Sequence, residues 1–138
     1  MSQTRFSVLI HQQAKKYGDR VALKHRDYKT NTWVPTTWNQ FSETVAVVSN
    51  ALIELGVEVQ ENSGVFTQNK PESLFVDFGA FGVRAVTVPL YATSSESQVH
   101  YILEDAQIRY LFVGEQQQYD VAFRVMALSS TLKQIVVF

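Results

Sequence analysis

Four short apolar runs, each separated from the next by an amphipathic stretch, constrain this chain more than anything else in it. They are Ser63-Gly64-Val65-Phe66-Thr67, Ala85-Val86-Thr87-Val88-Pro89-Leu90, Tyr110-Leu111-Phe112-Val113 and Gln134-Ile135-Val136-Val137-Phe138. Their starts lie roughly 22–25 residues apart, the length of one strand with one helix and its loops. Pro71 stands where a helix begins, and Leu74, Phe75, Phe78 and Phe81 follow at helical spacing as its expected apolar face. Ser95 and Gln98 have the spacing of a capping box ahead of Val99, Ile102, Leu103 and Ala106. Tyr119, Ala122, Phe123 and Met126 mark one more helical face. Strands that are apolar on both faces, alternating with amphipathic helices, require a parallel sheet covered on both sides and joined by right-handed crossovers.

The front of the chain reads differently. Phe6, Leu9, Ile10, Ala14 and Tyr17 predict a helix, with Thr4 as N-cap and Gly18 as its left-handed stop. Val21–His25 and Thr32–Thr36 predict a β-hairpin turning near Lys29-Thr30-Asn31, with Pro35 marking an edge. Thr37 and Gln40 form a second capping box before Trp38, Phe41, Val45, Val48, Leu52 and Leu55, and Gly56 closes that helix. The polar stretch Glu58 to Asn62 is a helix-to-strand connection rather than a linker. The expected fold is α/β: a partial, doubly wound, mostly parallel sheet with flanking helices, preceded by an N-terminal helix and a β-hairpin.

A length of 138 residues suits one domain. A net charge of −1 argues against a general attraction to nucleic acid. Zero cysteines exclude a disulfide scaffold, a thiol nucleophile and a thiolate-bound metal. No apolar run approaches the roughly 18–20 residues of a membrane span, and Phe6–Ile10 is too short for a signal-peptide core. Cytosol is the default expectation.

A nucleotide-type layout invites a search for a phosphate loop, which needs glycines directly after a strand and at a helix start. Gly79 and Gly82 fall near a helix end and read as packing positions. Gly64 lies inside a strand, where it admits another backbone. Gly114 follows a strand, but Glu115 places an anion where phosphate would sit. His11, His25 and His100 lack metal-ligand spacing and read as solvated or structural, with His100 able to pair with Glu96 or Glu104 on its own helix. Ser94 and Ser95 open a helix after a strand, yet the glycines of a nucleophile elbow are missing, so capping is the expected role. Glu104 and Asp105 diverge as neighbours on a helix, and Phe75, Phe78 and Phe81 read as core. No catalytic, cofactor-binding or metal-binding residue is assigned.

The run Ala85 to Ser94 resembles the "AVxVPLYxTS" segment of acyl-CoA synthetases, in the adenylate-forming (AMP-binding) superfamily. Five further stretches agree in order. Trp33–Phe41 resembles "WxxxTYxEF", with Trp38 for Tyr and Gln40 for Glu. Gly56–Glu61 resembles "GVxxGD", departing at Gln60 and Glu61. Phe66–Glu72 resembles "xSxNxPE", with Thr67 for Ser. Tyr101–Ala106 resembles "YILxDA", and Tyr17–Leu23 the "YGDRxAL" that closes the family's opening.

The resemblance, closest to the long-chain fatty-acid branch, implies that the chain is the N-terminal part (1–138) of the large N-terminal domain of a longer ATP-dependent acyl-CoA ligase. Such a ligase converts a carboxylic acid, ATP and coenzyme A to acyl-CoA, AMP and pyrophosphate with Mg²⁺. The family's phosphate loop, its Mg²⁺-binding Glu, its ribose-binding Asp and its mobile C-terminal Lys have no counterpart in residues 1–138, so the chain alone is expected to be inactive. Pro89, Tyr91 and Thr93 are landmarks of the resemblance, read as strand end and turn. The parent is expected to be cytoplasmic, with peripheral membrane contact left open. The isolated chain is expected to self-associate through an unpaired strand edge. Two alternatives stay open: a free-standing α/β binding or protein-interaction module, and another carboxylate-adenylating enzyme.

Overall fold

The computed structural model describes residues 5–138. In chain order its elements are α1 (Phe6–Tyr17), β1 (Val21–Asp27), β2 (Thr32–Thr37), α2 (Trp38–Glu54), β3 (Asn62–Phe66), α3 (Pro71–Gly82), β4 (Val86–Leu90), α4 (Glu96–Asp105), β5 (Tyr110–Val113), α5 (Gln116–Met126) and β6 (Gln134–Val137). Strands β1 and β2 form an antiparallel hairpin. The other four strands form a parallel sheet in the order β4-β3-β5-β6.

The pleat sorts the strand side chains into two cores. Phe66, Leu111, Val113 and Ile135 meet Val99 and Leu103 of α4 and Ala122 and Val125 of α5 on one face. Val65, Tyr110, Phe112 and Val136 meet Leu52 of α2 and Val76 and Ala80 of α3 on the other. A third cluster, Ile10, Phe41 and Val45 with Phe75 and Phe78 beside them, seats α1 and the hairpin on α2 and α3. Both capping boxes form: Thr37 Oγ1 accepts from Gln40 N at 3.2 Å while Gln40 Oε1 accepts from Thr37 N at 2.9 Å, and Ser95 pairs with Gln98 in the same way. Gly18 and Gly56 both have positive φ at helix ends, and the hairpin turns where its sequence predicts.

Several expectations are corrected. Thr4 lies outside the described residues, and the residue before α1 is Arg5, which makes no side-chain cap bond. Helix α3 presents Val76 and Ala80 to the sheet side and Gly79 to α2, while Phe75 and Phe78 pack against Phe41 and Leu74 is exposed. A helix that is apolar almost all round does not announce which side meets the sheet. Strand β4 is an edge, so Val86 and Pro89 are exposed rather than buried on both faces. Phe123 points outward, its place in the α5 interface taken by Val125 and Gln118. Gly64 admits side chains, not a backbone: an added Cβ would stand 2.6 Å from Leu111 Cδ1.

Candidate functional site

The chain runs from β3 to β4 on one side, then returns past β3 to lay β5 on its other side. At this reversal the helices leave in opposite directions, and the carboxyl ends of β3 and β5 border a crevice. The crevice is built by the loop Thr67–Lys70 before α3 and by Gly114-Glu115 before α5.

The two loops are held close together. Gly114 N donates to Phe66 O at 3.2 Å, and a Cβ added at Gly114 would overlap Thr67 Oγ1. Lys70 spans the crevice: its Nζ lies 2.9 Å from Glu115 Oε1 and donates to Gly114 O at 3.3 Å. This pair is partly exposed, so its energetic weight is small, about 0–1 kcal/mol, and its effect is chiefly to set the loops' relation. A third loop, Tyr91–Ser95, is tied to α5 by fully buried Gln118, whose Nε2 donates to Ala92 O at 2.8 Å.

The hairpin faces this edge across a cleft of about 830 Å³. Lys24, Arg26 and Trp33 line it from the hairpin, and Asn69, Lys70 and Glu72 from the sheet side. Register places Lys24 beside Pro35 and Arg26 beside Trp33 on the paired strands. The Arg26 guanidinium stands 5.6 Å from the Trp33 ring centroid, in cation–π contact. The volume falls in the range of small-molecule sites, and the wall offers cations and an aromatic plane. Three buried polar atoms around it lack hydrogen-bond partners: His25 Nδ1, Thr67 Oγ1 and Glu72 Oε2.

The residues singled out from the sequence take structural places around this frame. Ser95 Oγ accepts from Gln98 N at 3.4 Å as a helix cap, and Ser94 makes no side-chain bond. Tyr91 and Thr93 are exposed on the loop after β4, and Pro89 pairs with Val65 at the sheet edge. His100 Nε2 lies 3.4 Å from Leu128 O and 4.0 Å from Glu104. Glu104 separates from Asp105 as expected and clasps the α5–β6 loop, accepting from Ser129 Oγ at 2.6 Å and from Ser130 N at 2.9 Å. Those bonds, Ser129 first, lower its pKa to about 2. His11 Nδ1 meets Ser42 Oγ at 2.6 Å and ties α1 to α2, a bond across 31 residues that the sequence does not signal. Burial raises the Asp77 carboxyl against a weaker opposing bond from Thr87. The Lys70 strap, the Gln118 bond and the cleft likewise carry no local sequence signal.

The residues present do not fit a nucleoside triphosphate or Mg²⁺. The space at Gly114 is filled by Thr67 and Lys70, Glu115 follows it directly, and Gly64 is filled by Leu111 and Ile108. Among the described residues there is no group of three His, Cys, Asp or Glu able to hold a metal ion. The arrangement is suited to binding and to positioning, and no reaction step is assigned to it.

The comparisons agree with this architecture. The sequence profile of the AMP-binding enzymes ("AMP-binding enzyme") matches residues 10–137. The chain is 27% identical over 128 residues to the long-chain-fatty-acid–CoA ligase ACSBG2 of Xenopus laevis, covering 93% of this chain and 17% of that protein. It is 34% identical over 80 residues to the long-chain-fatty-acid–CoA ligase FadD15 of Mycobacterium bovis, covering 58% of this chain and 13% of that one. Among solved structures, the anthranilate CoA ligase AuaEII in complex with anthranoyl-AMP superposes with a TM-score of 0.85 at 24% identity, over 98% of this chain and 25% of that one. The N-terminal domain of FACL13 from Mycobacterium tuberculosis superposes with a TM-score of 0.85 at 18% identity, over 99% and 34%. The chain thus spans well under half the length of each of these proteins. With the profile matched along nearly its whole length, the chain belongs to the AMP-binding enzyme family.

Proposed function

We propose that this chain is the N-terminal part of an ATP-dependent acyl-CoA ligase acting on a fatty acid. The ligase would join fatty acid, ATP and coenzyme A to acyl-CoA, AMP and pyrophosphate. The observation that carries the reading is the family match over residues 10–137, together with two long-chain-fatty-acid–CoA ligases among the relatives. In this reading residues 1–138 supply half a site. The switch-point edge of the sheet, held by Thr67, Gly114 and the Lys70–Glu115 strap, is a fixed wall against which later segments would assemble the adenylation centre. ATP, Mg²⁺ and coenzyme A are then ligands of the longer protein, and this chain's own contribution is scaffold and orientation. No described helix is long and apolar enough to cross a membrane, and a cytoplasmic enzyme fits that observation.

The test is fatty-acid-dependent release of pyrophosphate from ATP. It is run on residues 1–138 and on the polypeptide encoded by the reading frame continued past Phe138. The reading expects release only from the longer polypeptide. Release from residues 1–138 alone would overturn it, as would a longer polypeptide that activates no carboxylic acid.

A further inference from the structure

Helices α2, α4 and α5 each carry a glutamine at their third position: Gln40, Gln98 and Gln118. Gln40 and Gln98 turn back, and their Oε1 atoms accept from the backbone N–H of their own caps, Thr37 and Ser95, each at 2.9 Å. That is the ordinary use of a glutamine at this position. Gln118 departs from it. Its cap, Glu115, makes no side-chain cap bond and holds Lys70 instead. Gln118 reaches across 26 residues, and its Nε2 donates to Ala92 O at 2.8 Å. The side chain is fully buried, and its Oε1 has no hydrogen-bond partner.

This arrangement works against stability. A buried acceptor without a donor has lost its hydration and regained nothing, and an apolar side chain of the same length would avoid that loss. Packing therefore gives no reason for a glutamine here. What the bond secures is the loop Tyr91–Ser95. Within that loop Ser94 N donates to Tyr91 O at 2.9 Å, and Ser95 caps α4. Tyr91 and Thr93 are exposed, so their side chains do not anchor it. The segment Gly114–Gln118 thereby joins all three loops at the carboxyl ends of β3, β4 and β5. Gly114 N donates to Phe66 O, Glu115 holds Lys70, and Gln118 holds Ala92.

We propose that Gln118 is a positioning residue: through Ala92 O it fixes the loop after β4 beside the crevice, as a further wall of the site where the longer polypeptide activates its acid. The inference rests on the ligase reading for the reaction, and on this chain alone for the loop. In an open parallel sheet, ligands sit outside the carboxyl ends of the strands, so a loop that shifts there displaces what binds beside it. A displacement of about 1 Å is enough to slow a reaction by about two orders of magnitude, because the reacting atoms no longer meet in line. Only a donor of this length, aimed at a backbone carbonyl, holds the loop at a fixed distance from α5.

The test is Gln118→Met, which keeps the length of the side chain and removes the amide. The chain has no cysteine, so Thr93→Cys gives a single attachment point for a nitroxide spin label on residues 1–138. Gln118→Met is expected to unfold in urea at or above the parent chain's midpoint, and to sharpen the label's spectrum as the loop loosens. In the longer polypeptide it is expected to lower kcat for fatty-acid-dependent pyrophosphate release roughly tenfold or more, with KM for the acid within about threefold. Gln117→Met, at an exposed position of the same turn, should change neither the spectrum nor kcat. For Gln118→Met, an unchanged spectrum, a urea midpoint well below the parent's, or a raised KM with kcat kept would each overturn the proposal. A longer polypeptide that keeps Gln118 and releases no pyrophosphate would overturn the ligase reading, and this role with it. One that is active and indifferent to Gln118→Met would overturn this inference alone.

Discussion

Replacing Gly114 by Ala tests the switch-point geometry directly. The added Cβ would overlap Thr67 Oγ1, stand 2.7 Å from Thr67 Cβ and reach within 3.2 Å of Lys70 Cδ. Two of these contacts belong to a side chain fixed beside the end of β3, so relief requires the β3 and β5 loops to part. Overpacking of this kind costs about 1–3 kcal/mol. Thr67→Ala by itself should cost little, because its hydroxyl is buried without a partner and its removal recovers desolvation. In the double variant the hydroxyl clash is gone, so the two effects should couple by about 1 kcal/mol. Urea unfolding followed by Trp fluorescence reads this out: at an m-value of about 2 kcal/mol/M, Gly114→Ala should lower the midpoint by about 0.5–1.5 M, with roughly half regained on adding Thr67→Ala. A midpoint for Gly114→Ala within about 0.2 M of the parent chain, or strict additivity in the double variant, would refute the reasoning.

Other consequences are simpler. Thr37→Ala removes the cap of α2 and should cost about 1 kcal/mol in the same assay, with Thr37→Ser recovering most of it. Glu104 has a folded pKa of about 2, below its ordinary 4.5, so the stability it contributes is full above pH 4.5 and is lost as the pH falls toward 2. A Ser129→Ala, Ser130→Ala variant should show a flatter acid dependence of its unfolding midpoint across that window. The unpaired edge of β6, with Val137 exposed, should drive self-association that rises with concentration in light scattering, and a monomer at all concentrations would contradict it.

Much of the fold was legible because the signals were local. Thr37 with Gln40, and Ser95 with Gln98, carry their caps within three residues, and the four apolar runs became the four parallel strands. What stayed hidden depended on distant partners. Val86 and Pro89 look like a central strand, since the sequence is as apolar as β5, and only the strand order makes β4 an edge. Phe75 and Phe78 belong to the Phe41 cluster rather than the sheet because α1 and the hairpin arrive on that side. The candidate site was the least legible part. The Lys70–Glu115 strap joins residues 45 apart, and the Thr67–Gly114 contact arises from two loops that meet only once the sheet reverses. The motif resemblance marked the loops themselves but not the cleft between them and the hairpin.

The central claim is that this chain is the opening part of a carboxylate-activating enzyme rather than a catalyst in its own right. Pyrophosphate release from ATP measures that most directly, with a fatty acid added or withheld, on residues 1–138 and on the polypeptide from the continued reading frame. The claim predicts fatty-acid-dependent release from the longer polypeptide and none from residues 1–138. Fatty-acid-dependent release from residues 1–138, or a reading frame that stops at Phe138, would contradict it.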